Sequence, residues 1–144
     1  MSFVFYAQAH DTISATHPTT LEITKDDRLT QRGDCIVAVK SSKGLCDLPP
    51  ALKRVLSTPD GMARLTVRVG MVSFSLEGRG AQGLTFSDPA EIVVRKSGFV
   101  SDRTLMVLAN RGAGDIPREM VKLLQDPKNR VTIEISVLTN AGLP

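Results

Sequence analysis

Ala63-Arg64-Leu65-Thr66-Val67-Arg68-Val69-Gly70-Met71-Val72-Ser73-Phe74-Ser75-Leu76 alternates apolar and polar side chains on either side of a single glycine. A period of two places Ala63, Leu65, Val67 and Val69 on one face and Arg64, Thr66 and Arg68 on the other, which is the signature of a half-buried strand. Gly70 divides the run. It makes the segment either one bulged strand or the two arms of a hairpin. Either way, this is a β element with one face turned to a core.

The same period recurs outward from this centre. Downstream, Val131, Ile133, Ile135 and Val137 alternate with Thr132, Glu134 and Ser136, the cleanest strand in the chain. Upstream, Leu21 and Ile23 alternate with Thr20, Glu22 and Thr24, and Cys35 to Val39 is a continuous apolar run suited to a strand covered on both faces. Phe3 to Ala9, Leu84 to Phe86, Glu91 to Lys96 and Arg103 to Ala109 complete the strand candidates. Two stretches have helical spacing instead. Leu48, Leu52, Val55 and Leu56 share one face of a helix over 47–57, and Ile116, Met120, Leu123 and Leu124 share one over 115–125. Asp47 and Asp115 stand at their starts, where a carboxylate can accept the unpaired first-turn amides. Charged or glycine-bearing turns are expected at Lys25 to Arg28 and Gln31 to Asp34, and a frayed tail from Thr139 to Pro144.

About seven or eight strands without regular crossover helices predict a mainly β (α+β) fold. The expected form is a curved, mostly antiparallel sheet or partly closed barrel, with the two short helices covering a face or an end. The expected organisation is one globular domain over 1–144. No internal repeat is evident from the sequence. At this length folding buries about 68–70% of the unfolded chain's surface, enough for a core without disulfide or metal support. That core must be aliphatic, since aromatic residues make up 4% of the chain and tryptophan is absent.

Composition narrows the function classes. The net charge of +3 comes entirely from residues 61–144, with eleven Lys/Arg against eight Asp/Glu, while residues 1–60 are balanced at seven of each. That excess suits an anionic partner but falls short of a dedicated nucleic-acid surface. No run approaches the roughly 18–20 apolar residues of a membrane span, and the apolar start lacks the basic flank of a secretory signal. A cytoplasmic protein without membrane contact is expected. Cys35 and Cys46 form no CxxC pair. They read as two reduced thiols, with a bridge between them left open by spacing alone.

Several groups carry chemistry. Arg95 and Arg103 sit at the ends of neighbouring strands, with Lys96 beside them and Arg111 further on, and paired guanidiniums suit phosphate or carboxylate. A structural ion-pair network with Asp34, Asp102 or Glu22 accounts for the same residues equally simply. His10 and His17 are weak metal candidates, because the short ligand spacings are missing. Cys35 lies beside Asp34, which raises a thiol's pKa and argues against a nucleophile. Gly78 to Gly83 matches G-x-G-x-x-G formally, but no helix follows, so it reads as a loop. Phe99 is the one aromatic residue inside the basic block. Its exposure would favour single-stranded nucleic acid, which is bound by basic grooves with stacking aromatics.

Two blocks, Ala15 to Val39 (ATHPTTLEITKDDRLTQRGDCIVAV) and Val93 to Ala109 (VVRKSGFVSDRTLMVLA), resemble an archaeal family known as domain of unknown function 371. The resemblance covers essentially the whole chain. It implies an archaeal, cytoplasmic, single-domain protein and carries no activity or cofactor with it. Where the family has histidine followed by proline or asparagine this chain has His10-Asp11. Arg111-Gly112-Ala113-Gly114-Asp115 stands where an alanine pair with an acidic neighbour belongs.

The leading expectation is a binding module for an anionic ligand (nucleotide, phosphate or RNA backbone) through His17, Asp34, Arg95, Lys96 and Arg103. The alternatives are a hydrolase or transferase using His17, Glu22 and Asp34, with or without a metal, and a structural subunit of a homodimer or larger homo-oligomer joined at a strand edge.

Overall fold

The structure, a computed structural model, describes residues 1–27 and 33–138. The expectations for Arg28, Gln31, Arg32 and the tail from Thr139 to Pro144 therefore lie outside the described residues. Eight strands form two four-stranded sheets. In chain order they are β1 (Ser2–Gln8), β2 (Thr20–Thr24), β3 (Ile36–Ala38), β4 (Met62–Val69), β5 (Val72–Arg79), β6 (Glu91–Arg95), β7 (Thr104–Met106) and β8 (Arg130–Val137). Helix α1 (Pro50–Leu56) follows β3, and helix α2 (Arg118–Leu124) follows β7.

One sheet has the order β1-β8-β4-β5 and is antiparallel throughout. The other has the order β3-β2-β6-β7, with an antiparallel centre flanked by two parallel pairings. The fold is thus mostly antiparallel and β-rich, as the alternation implied. Its strands are divided between two four-stranded sheets and do not form a closed barrel. At each side the sheets meet only through a single bridge, Gln8 with Val39 and Arg79 with Val107. The quoted stretch is a hairpin, β4 and β5, whose turn takes Gly70 at φ +59°. Leu84 to Phe86 is not a strand.

The core is one cluster. Phe5, Leu65, Val67, Ile133 and Ile135 of the first sheet join Leu21, Ile23, Ile92 and Val94 of the second, and Leu52, Leu56, Met120 and Leu124 of the helices close it. Burying a large aliphatic side chain is worth about 1.5–3 kcal/mol, so this cluster dominates the favourable side of folding. The described residues contain no helix long and apolar enough to cross a membrane.

The chain is built twice, contrary to the expectation of no repeat. The succession β1-β2-β3-α1-β4 returns as β5-β6-β7-α2-β8. The four non-glycine residues with positive φ among the described residues fall into matching pairs, Ala15 at 48° with Phe86 at 51°, and Lys40 at 51° with Leu108 at 52°. Such backbone is rare for residues with a Cβ, so its repetition at matched positions is diagnostic. Each half carries G-x-x-D-[L/I]-P before its helix. Asp47 Oδ2 accepts the Gly44 amide at 2.9 Å and Asp115 Oδ2 accepts the Gly112 amide at 2.9 Å. These carboxylates close a 3-10 turn instead of capping the α-helices, which start later, after Pro49 and Pro117. Exchange of the two halves turns each sheet order into its own reverse. The pseudo-twofold axis crosses the first sheet where Thr66 faces Glu134 and the second where Glu22 faces Val93.

Candidate functional site

The axis crosses the second sheet at the one buried carboxylate of the described residues. Thr20, Glu22 and Thr24 alternate onto one face of β2, and Glu91, Val93 and Arg95 onto the same face of β6, paired Thr20–Arg95, Glu22–Val93 and Thr24–Glu91. Alternation suggested that this face points to water. Instead Glu22 is 7% exposed and Thr24 2%, with Cys35, just before β3, and Arg103, just before β7, lying against the Glu22 carboxyl at 3.8 and 3.6 Å. A cavity of about 480 Å³ opens there, bordered by His17, Thr20, Glu22, Asp34, Cys35, Val93, Arg95 and Arg103. Four of the five residues expected to bind an anion, His17, Asp34, Arg95 and Arg103, line this cavity together with Glu22.

Lys96 lies elsewhere. It follows Arg95 in the strand and points to the other face, where its Nζ is 3.4 Å from Asp115. The repeat makes the same bond between Lys25 and Asp47, at 3.9 Å. Lys96 also borders a second hollow of about 530 Å³, with Phe74, Arg111 and Asp115. There Arg111 donates to the Ser75 carbonyl at 3.2 Å and lies 5.3 Å from the Phe74 ring centre. His10 does not reach the first cavity. Its Nδ1 accepts the Thr12 amide at 3.1 Å. The described residues hold no group of three or more His, Cys, Asp or Glu arranged for a metal ion, and both cysteines are free thiols.

Charge in the cavity is unevenly compensated. Arg103 Nη1 donates to Glu91 Oε2 at 3.2 Å and lies 3.6 Å from Glu22 Oε1. Burial first, and then a hydrogen bond and like charge from Glu91, raise the Glu22 carboxyl to about 8 against the opposing pull of Arg103 and the Cys35 thiol. At neutral pH Glu22 is therefore the protonated partner of Glu91, and the two carry one negative charge between them. That charge is matched by Arg103. Arg95 is different. Its Nε donates to Thr104 Oγ1 at 3.2 Å and its Nη2 to Ser101 Oγ at 3.3 Å, both neutral acceptors. Among the described residues no carboxylate forms an ion pair with it. Burial and then the neighbouring Arg103 lower its pKa, against the smaller opposing influence of Cys35 and Glu22.

Two further lining groups, His17 and Cys35, also carry donors. His17 Nδ1 accepts the backbone amides of Thr19 at 3.2 Å and Thr20 at 3.1 Å. The neutral ring then carries its proton on Nε2 and offers a donor rather than a base or a metal ligand. The Cys35 thiol, 3.8 Å from Glu22 Oε1, is pushed up to about 12 by burial and then by Glu22 and Asp34, so it stays protonated.

Glu91, Ser101 and Thr104 belong to the site but carried no expectation. The signal for Glu91 was present, since positions 91, 93 and 95 share a strand face. The same alternation separates Arg95 from Lys96.

The site is where the two halves differ. The counterpart of Glu22 is Val93, that of Cys35 is Arg103, that of Thr24 is Arg95 and that of His17 is Asp88. Asp88 Oδ1 accepts the amides of Ala90 and Glu91 as His17 Nδ1 accepts those of Thr19 and Thr20. The glycine, aspartate and proline of the G-x-x-D-[L/I]-P turn are shared between the halves, whereas the charged cavity residues are not.

Residues 5–138 match the family described as Domain of unknown function (DUF371). The chain is also 37% identical over 131 residues to an uncharacterised protein of Methanocaldococcus jannaschii, an alignment that covers 91% of this chain and 96% of that protein.

Proposed function

The chain belongs to the DUF371 family, which brings no activity with it, and we propose from the cavity's chemistry that the protein binds a small anionic ligand between β2 and β6. The observation that carries the reading is Arg95, a cation in the cavity wall that forms no ion pair among the described residues and has a second guanidinium nearby. An oxyanion placed there relieves the repulsion between Arg95 and Arg103 and accepts from donors that are already fixed. Ser101 and Thr104 orient Arg95, so little rotamer freedom remains to be lost on binding. His17 Nε2–H and the Thr20 hydroxyl add neutral donors, and Asp34 at the margin selects against ligands that are anionic on every side.

A second reading, a hydrolase or transferase, is favoured by one observation. Glu22 retains a proton at neutral pH in a cavity, as a general acid must. His17 in its Nε2–H form supplies no base to go with it, which leaves that role to Asp34 at the cavity margin; the cationic Arg95 beside Arg103 makes binding the better account. The third reading, a homo-oligomeric subunit joined at a sheet edge, is weakened by the edges themselves. Ser42 pairs with the Tyr6 backbone on β1 and Asn110 with the Glu77 backbone on β5, so both edges are partly occupied.

The test is a thermal shift in inorganic phosphate against chloride of equal ionic strength. Phosphate at tenfold its Kd stabilises a folded protein by about 1.4 kcal/mol, roughly 3–5 °C here. The wild type is expected to show that rise and Arg95→Ala to lose it. An equal rise in both proteins removes Arg95 from the site and sinks the proposal.

A further inference from the structure

Phe99 stands on the loop between β6 and β7 and is 61% exposed. A single exposed apolar residue needs no explanation by itself. Phe99 is distinguished by its neighbour, because the Arg95 guanidinium lies over its ring, 4.9 Å from the centroid. One face of the ring is thus covered by the unpaired cation of the anion cavity, and the other faces solvent.

The loop holds the ring in place. The Phe99 amide donates to Ser97 Oγ at 3.3 Å, the Ser101 amide to Thr104 Oγ1 at 3.1 Å, and the Arg103 amide to Ser101 Oγ at 3.3 Å. The same two hydroxyls that orient Arg95 therefore fix the loop that carries Phe99. Val100 packs against the core, which anchors the residue next to the exposed ring. Leu108, 57% exposed, lies close enough to Gly98 to extend the apolar surface. An exposed aromatic ring next to a cation that forms no ion pair among the described residues is a pair of subsites for one ligand with an aromatic part and an anionic part.

Building on the anion-binding reading, we infer that the ligand is a nucleotide, free or within a single strand, whose base stacks on the open face of Phe99 while its phosphate meets Arg95 and Arg103. Stacking of a base on an aromatic side chain tolerates any base, so the ring selects for a base without selecting among bases. Phosphate takes the remaining edge of a guanidinium whose Nε and Nη2 are already committed.

The experiment is calorimetric titration of the wild type, Phe99→Ala and Phe99→Tyr with inorganic phosphate, ribose 5-phosphate, adenosine 5′-monophosphate and a ten-nucleotide single-stranded RNA. Wild type and Phe99→Tyr are expected to bind the monophosphate about tenfold more tightly than ribose 5-phosphate, in line with the stacking free energy of one base. Phe99→Ala is expected to bring the two ligands within about twofold, leaving ribose 5-phosphate as in the wild type. RNA more than tenfold tighter than the monophosphate, with a steep loss in salt, places the nucleotide in a strand; equal affinity identifies the free nucleotide. Equal binding of the monophosphate and ribose 5-phosphate by the wild type overturns the inference and leaves the anion site standing. So does a loss of both ligands in Phe99→Ala, since the ring would then only prop Arg95. Failure of every phosphate compound to bind overturns the anion site and this inference together.

Discussion

Glu22 holds a proton through neutral pH because it is buried and shares a hydrogen bond with Glu91. Its ordinary value of 4.5 is raised to about 8, so between those values the folded protein binds more protons than the unfolded chain. The stability linked to that proton is complete below about pH 4.5 and is lost as pH climbs to and through about 8. At roughly 1.4 kcal/mol per pKa unit, the loss amounts to a few kcal/mol. Glu22→Gln keeps the shape and removes the titration. Denaturation midpoints for the two proteins are expected to diverge from pH 5 to pH 9, with the variant gaining steadily on the wild type. Parallel curves would show that Glu22 ionises normally. This chemistry was hard to read in advance, because β2's period of two assigned Glu22 to a wet face. Cys35 and Arg103, just before β3 and β7, lie against its carboxyl, and no local pattern in β2 reports them.

At the scale of elements, the 3-10 turns before α1 and α2 explain the repeated G-x-x-D. The backbone at Gly44 runs against the carbonyl of Pro89, and the backbone at Gly112 against that of Pro18, so each half's turn packs on the other half's proline. A Cβ at Gly44 would overlap the Pro89 oxygen, while one at Gly112 would sit 2.8 Å from the Pro18 oxygen. Gly44→Ala is therefore expected to cost about 1–3 kcal/mol, in the range of overpacked sites, and Gly112→Ala less. Equal and negligible losses in urea titrations would show that the turns are not pinned. The strands and both helices were legible, because a period of two or a stripe at helical spacing is a local property. The repeat was not. The spacing between equivalent residues changes from 71 before the β2–β3 connection to 68 after it, and few identities survive outside G-x-x-D-[L/I]-P. The parallel pairings of β3 and β7 were equally hidden, since each strand is three residues long.

Across the whole molecule the two halves interleave. β8 of the second half lies between β1 and β4 of the first, and β2 and β6 pair at the centre of the other sheet. Neither half has a complete sheet of its own, so they are expected to unfold together. Far-ultraviolet circular dichroism and the fluorescence of the single tyrosine, Tyr6 on β1, are expected to give coincident transitions in denaturant. Separate midpoints would mean that the halves fold as independent units. The interleaving also explains why residues distant in sequence share one cavity: His17, Glu22 and Asp34 come from one half and Arg95 and Arg103 from the other. A chemical pattern spread over two copies of a motif leaves no compact signature. The basic block around Arg95 could be seen, but not that Arg95 forms no ion pair among the described residues.

The most direct measurement of the anion site is a ¹H–¹⁵N spectrum of the arginine Nε–Hε groups during titration with inorganic phosphate. Arg95 and Arg103 are expected to shift together and saturate, whereas Arg64 and Arg68, paired with Glu77 and Glu134 on the other sheet, stay in place. A silent Arg95, or small unsaturating shifts spread over all the arginines, would contradict the account.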